Sequence, residues 1–291
     1  MIAWWIVGLV AGLVALALVL YWLLVITEGV YLGRRAVIWL YDLYATRYDS
    51  IKQYDPETET YFLARPLLDR LSHVRAPLLL DVATGTGRLP LALLEQPAFQ
   101  GRIVALDLSR KMLNVAAGKL APYGERVALL HQRAEALPFP DETFDAVTCL
   151  EALEFMMDPP GVLRELARVL RPGGLLVLTN RQGRDARLMP GQTYRHDALE
   201  RLLRGAIGMA QVEIQPWQVD YRIVWAVKPG IAPAAGPLSL SEIWRCPRCE
   251  AVDLVPVDGA WRCLTCEGLV ATGADGVIEA ERAAAEARRL H

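Results

Sequence analysis

Charge of either sign is missing from Ile2 to Thr27, a run of 26 residues without one Asp, Glu, Lys or Arg. That run is too long for an ordinary core helix, because about 20 apolar residues already cross a bilayer's hydrocarbon layer of roughly 30 Å. A basic excess is missing too. The 31 Lys and Arg face 33 Asp and Glu, for a formal net charge of −2, so no global field exists to hold a polyanion. Cysteine is scarce: five in 291 residues, four of them close together, which excludes a secreted disulfide framework. Internal repeats are absent, and with them solenoid architectures.

The uncharged run has aromatic residues at both ends. Trp4 and Trp5 stand about 25 Å from Tyr21 and Trp22 at helical rise, as two interfacial belts would. A cleaved signal peptide would carry a basic stretch, a shorter apolar core and a small-residue cleavage site, and none is evident. The expectation is a single transmembrane helix over residues 1–28. Arg34 and Arg35 follow it and no Lys or Arg precedes it, so the rest of the chain is expected in the cytoplasm. Residues 29–75 read as a helical juxtamembrane cap, in which AVIWLYDLY (36–44) lies near the membrane surface or packs into the core. The tyrosines at 41, 44, 48 and 54 either fill that cap or touch an acceptor.

Over 76–228 helices and strands alternate. Strands are expected at 78–82, 102–106, 127–131, 144–149, 175–179, 211–215 and 219–227, with helices at 57–73, 88–95, 109–120, 159–170 and 196–205. The early strands are short apolar runs without alternation, as when helices cover both faces of a parallel sheet. The fold class is α/β, a doubly wound Rossmann-like sheet of seven strands whose ligand lies at the strands' C-terminal ends.

The first strand runs into a glycine turn, LLLDVATGTGRLP (Leu78–Pro90). Gly85 and Gly87 let the backbone turn tightly and approach a ligand, and Thr84 and Thr86 add hydroxyls. A dinucleotide fingerprint would need a third glycine where Pro90 stands, and Asp81 in the turn disfavours a pyrophosphate. The second strand ends in Asp107, 22 positions beyond Gly85, suited to accept from ribose hydroxyls.

DVATGTG, ALDLS, AEALPFPDETFDAV and VLRELARVLRPGGLLVLTN together resemble the successive motifs of class I S-adenosylmethionine-dependent methyltransferases. The branch they look most like contains the quinone-biosynthesis and sterol methyltransferases, and the resemblance covers roughly residues 41–228. It implies that Asp81, Ala83, Thr84, Gly85, Thr86 and Gly87 hold the methionine portion of the cofactor. It implies Asp107 for the ribose, Leu108 and Met112 beside the adenine, Ala134 and Glu135 framing it, and Leu150 along the methionine side. Met112 also suits plain core packing. This chain departs from the pattern twice. Arg133 stands where relatives carry an acid toward the adenine amino group, so that Glu135 or backbone groups would have to substitute. Glu154-Phe155 replaces the Glu-His common after the fourth strand. Methyl transfer from a sulfonium needs positioning and water exclusion rather than an obligatory nucleophile. Tyr48, Glu151, Glu154 and His196 are the candidate bases, none of them assigned, and Arg181 either meets an anionic acceptor or is solvated.

A Pro/Gly/Ala-rich linker (229–242) precedes a second module at 243–273. Cys246 and Cys249 form one two-residue-spaced pair and Cys263 and Cys266 another, 13 residues apart. Four such thiolates close around one structural Zn²⁺ as a zinc ribbon, with Asp258-Gly259 as a hairpin turn; a rubredoxin-like iron site and redox dithiols are the other uses. Residues 274–291 read as a terminal helix. The expected function is methyl transfer to a small or membrane-resident, lipid- or quinone-like acceptor. The alternative is an RNA or protein substrate recruited by the ribbon, which has no basic stripe to favour it.

Overall fold

The computed structural model describes residues 2–231 and 238–287. Met1 of the expected span, 232–237 of the expected linker and 288–291 of the expected terminal helix lie outside the described residues. Helix α1 (Ile2–Tyr21) continues through one π-helical turn, Trp22–Ile26. The stretch Trp4–Ile26 is long and apolar enough to cross a membrane; its first part is exposed, while Trp22 at its end donates to Leu188 O at 3.0 Å and stacks on Tyr31. A second helix, α2 (Arg34–Tyr44), follows after a short turn.

Seven strands form one sheet: β1 (Leu78–Val82), β2 (Arg102–Asp107), β3 (Val127–His131), β4 (Phe144–Cys149), β5 (Leu170–Arg181), β6 (Gln211–Pro216) and β7 (Tyr221–Val227). Their order is β3-β2-β1-β4-β5-β7-β6. The first five run parallel, and β7 lies antiparallel between β5 and β6. The result is a mixed, Rossmann-like sheet. Successive residues of its central strands enter opposite cores. Leu80, Val104, Val147 and Leu176 pack on one face, and Leu79, Ile103, Ala146 and Val177 on the other. Burial of each such side chain contributes about 1.5–3 kcal/mol. Helices cover both faces, and two of their starts carry side-chain caps. Ser109 Oγ accepts from Met112 N–H before Arg110–Leu120, and Asp158 accepts from Gly161 N–H before Pro159–Val169.

β5 begins five residues before the expected strand and ends two after it. Its Pro172-Gly173-Gly174 reads as a turn but lies within the strand, opposite a register shift between Phe144 and Ala146, with Gly173 at φ 75°. Chain order reverses between β1 and β4, so the crevice at their carboxyl ends is the sheet's switch point.

The second module is a three-stranded antiparallel sheet, β8 (Leu254–Val257), β9 (Ala260–Cys263) and β10 (Leu269–Ala271), turning at Asp258-Gly259 with Gly259 at φ 66°. It does not stand alone. Ile243, Trp244, Leu254 and Val270 join one of the two cores of the large sheet. Beyond β10 the chain lies against the open edge of β3: His131 N–H donates to Ile278 O at 2.8 Å and Ile278 N–H to Leu129 O at 2.9 Å. The edge is thereby covered, as exposed sheet edges generally must be.

Candidate active site

β1 ends at the switch point with a buried acid. Asp81 is 3 % exposed, and its Oδ1 accepts from Thr148 Oγ1 at 2.5 Å. Burial pushes the carboxyl up to about 6. The turn after it holds Ala83 at φ 57° and Gly85 at φ 57°, both left-handed. Asp107, ending β2, secures that turn. Its Oδ2 accepts from Gly85 N–H at 2.8 Å and its Oδ1 from Ser109 N–H at 2.7 Å. Burial raises the Asp107 carboxyl and these backbone donors oppose the rise. Thr84 Oγ1 is sealed from solvent, and with Thr148 its hydroxyl opposes the rise of the Asp81 carboxyl.

A cavity opens beside these groups. Asp81, Ala83, Thr84, Gly85, Thr86, Asp107, Leu108, Ala134, Glu135 and Leu150 all line it. Two of the residues proposed for the cofactor do not. At Gly87 (φ 79°) an added Cβ would lie 3.0 Å from Leu120 Cδ1, so this glycine serves the packing of turn on helix. Met112 is fully buried and away from the cavity, in the core role. Arg133 also lies outside, its guanidinium paired with Glu281 at 2.6 Å.

The segment after the apolar span roofs the cavity. Arg34 pairs with Glu135 at 2.5 Å, and Asp42 accepts from Ser109 Oγ at 2.6 Å. Asp49 accepts from Thr86 Oγ1 at 2.5 Å and pairs with Lys119. Tyr41, Tyr48 and Tyr54 contact one another as a chain of rings 5.9 and 6.0 Å apart, which packs the cap, and they also line the cavity. Tyr44 is exposed.

The candidate bases separate. Glu151 lines the cavity at φ 50°, 2.9 Å from Arg88 and 3.5 Å from Lys52. Burial would raise its carboxyl, but the two cations outweigh burial and hold it below the usual range. Glu154 sits behind the cavity wall and accepts from Tyr221 Oη at 2.7 Å. Its other oxygen is without a partner, and burial raises its carboxyl. His196 is exposed at the start of its helix. Arg181 is not solvated; its side chain is 10 % exposed and faces Glu28 at 3.6 Å. Arg88, clamped between Glu59 and Glu151 and lying over the Tyr54 ring, is a cavity residue that sequence reading missed, as is Gln132.

In the second module the four sulfurs of Cys246, Cys249, Cys263 and Cys266 lie within 4.8 Å of one another. Two of the separations are 3.7 and 3.6 Å, close to the about 3.8 Å edge of a tetrahedron with 2.3 Å metal–sulfur bonds.

Residues 80–178 match the family model of a methyltransferase domain. Over 98 residues, 34 % of this chain, it is 44 % identical to the demethylmenaquinone methyltransferase of Bacillus licheniformis. Over 140 residues, 47 % of the chain, it is 35 % identical to that of Symbiobacterium thermophilum. These alignments span 42 % and 56 % of the relatives, so the chain matches about half the length of either. Among solved structures, a SAM-dependent methyltransferase from Aquifex aeolicus superposes with a TM-score of 0.50 at 24 % identity, covering 60 % of this chain and 95 % of that one. Residues 80–178 are thus similar to a methyltransferase domain, and the solved structure shares the fold.

Proposed function

We propose that this chain transfers a methyl group from S-adenosylmethionine to a small, lipid-soluble acceptor of the quinone type at a membrane surface. The observation that carries the donor half is the Asp107–Gly85 stitch beside the buried Asp81 in the switch-point cavity. When bound, S-adenosylmethionine supplies an electrophilic methyl on a sulfonium. Asp107 would accept from the ribose hydroxyls, while Asp81, Ala83, Thr84, Gly85, Thr86 and Leu150 would hold the methionine end. Leu108, Ala134 and Glu135 would frame the adenine. The tyrosine-lined roof excludes water, which favours displacement over loss of the methyl group to solvent.

The acceptor half is supported by chain continuity. The roof follows directly on the apolar stretch Trp4–Ile26, which reads as a transmembrane anchor with the catalytic domain on the cytoplasmic side. An acceptor dissolved in the bilayer would then reach the cavity without crossing water. The names of the curated relatives point to the same acceptor class. The four cysteines are assigned to one structural Zn²⁺, with no coordination position left for catalysis. An RNA or protein substrate held by the ribbon is not favoured: Arg245, Arg248 and Arg262 are offset there by Glu250, Asp253, Asp258 and Glu267.

Two measurements test this. Calorimetric titration should show binding of S-adenosylmethionine and S-adenosylhomocysteine but not NAD. Membranes carrying the protein, incubated with methyl-labelled donor, should yield label in the lipid extract; label confined to RNA or protein would overturn the acceptor class.

A further inference from the structure

The structure assigns recognition of the adenine 6-amino group to Gln132, a residue outside the sequence pattern that marks this loop. The inference rests on the methyl-donor reading above. An exocyclic amino group is a pure donor and needs an acceptor to be told from hydrogen. At the two positions where one would be sought, one is not an acid and the other is already engaged by a cation. Residue 133 is Arg, drawn out of the cavity by two contacts to Glu281, 2.9 Å through Nε and 2.6 Å through Nη2. Glu135 lines the cavity, but Arg34 holds its carboxylate at 2.5 Å.

Gln132 remains. It is 4 % exposed, lines the cavity, and its backbone N–H donates to Asp107 O at 3.0 Å, which ties it to the end of β2 where the ribose acid stands. Its Nε2 donates to Ala136 O at 2.7 Å and, at longer range, to Arg133 O at 3.4 Å. Both partners are carbonyls, which only accept, so the amide cannot be turned over without setting oxygen against oxygen. Oε1 is therefore fixed on the opposite side. No described residue donates to it, and it is not among the polar atoms sealed from solvent, so it is left accessible on a residue that lines the cavity. A buried acceptor with a fixed direction and a free lone pair suits a ligand N–H₂. It also rejects a ligand lacking one, since the acceptor is then left desolvated and unpaired.

The test is calorimetric titration of the full chain with S-adenosylhomocysteine and with its 6-deamino (purine riboside) analogue, which keeps every ring nitrogen. The wild-type protein should prefer the adenosyl ligand by about tenfold, as one net hydrogen bond predicts. Gln132→Met, which keeps the side chain's length but has no strong acceptor, should reduce that preference to within about twofold, because losses common to both ligands cancel in the ratio. Equal binding of the two ligands by the wild type overturns the assignment without any variant. An undiminished preference in Gln132→Met overturns it as well. Failure of the wild type to bind either ligand is a different result, one that removes the methyl-donor reading itself.

Discussion

Replacing Asp107 separates the structural role visible in its contacts from the ligand-holding role proposed for it. The carboxylate accepts from Gly85 N–H at 2.8 Å and Ser109 N–H at 2.7 Å, and in Asp107→Ala both backbone donors lose their acceptor. Each buried donor left unpaired costs about 1–3 kcal/mol, so the apo protein should lose about 2–6 kcal/mol of stability. Its melting temperature should fall by roughly 4 °C or more. The ribose contacts disappear at the same time. One or two hydrogen bonds to a charged group, at about 1.5–3 kcal/mol each, correspond to a rise in Kd of at least tenfold and up to about a thousandfold or more. Asp107→Asn keeps one oxygen but sets an amide N–H against a backbone N–H, so it should fall between wild type and Ala in both measurements. The assays are thermal unfolding without ligand and calorimetric titration with S-adenosylhomocysteine. A lowered melting temperature with a Kd within threefold of wild type would refute the ribose role and leave Asp107 only a turn-holding residue. No change in either would refute the stitch itself.

Two further predictions concern the buried acid and the cysteines. Burial raises the Asp81 carboxyl to about 6, above its value of about 3.9 in an unfolded chain, so the folded state binds its proton more tightly. That contribution is complete below about pH 4 and lost by about pH 6, up to about 3 kcal/mol. Urea unfolding should therefore show a stability component declining across that window in wild type and absent in Asp81→Asn; the same profile in both would count against it. For the second module, the purified full chain should carry about one zinc per chain, and Cys263→Ser should lose it together with melting temperature, because Cys263 lies within the shared core. Full metal content in that variant would remove the four-thiolate assignment.

How much of this was legible beforehand depended on how local each cause was. The parallel strands announced themselves because each is a short apolar run bounded by turn residues, and β1, β3 and β4 match the expected limits. β5 was under-read because Pro172-Gly173-Gly174 carries turn chemistry that strand pairing overrides through a register shift. The glycine turn and Asp107 stood out by composition and spacing, yet Gly87 and Met112 share those motifs and pack internally. Arg133 was legible only as a departure. Its partner Glu281 is 148 positions away, just beyond the segment that pairs with β3 on the far side of the second module.

By itself the sequence determined the elements and their chemistry: an uncharged stretch of membrane length, a strand–turn–helix with its acids in register, and two cysteine pairs of metal-binding spacing. Those follow from periodicity and residue type, which act over a few turns of chain. Tertiary structure decided which of the marked residues face the cavity. It also laid the segment after the apolar stretch across that cavity as a roof, and held Arg133 on Glu281 outside a cavity that its neighbour Gln132 lines. Each of these outcomes depends on a partner 100 or more positions away, Arg34 with Glu135 and Arg133 with Glu281, and no local pattern encodes such a pairing.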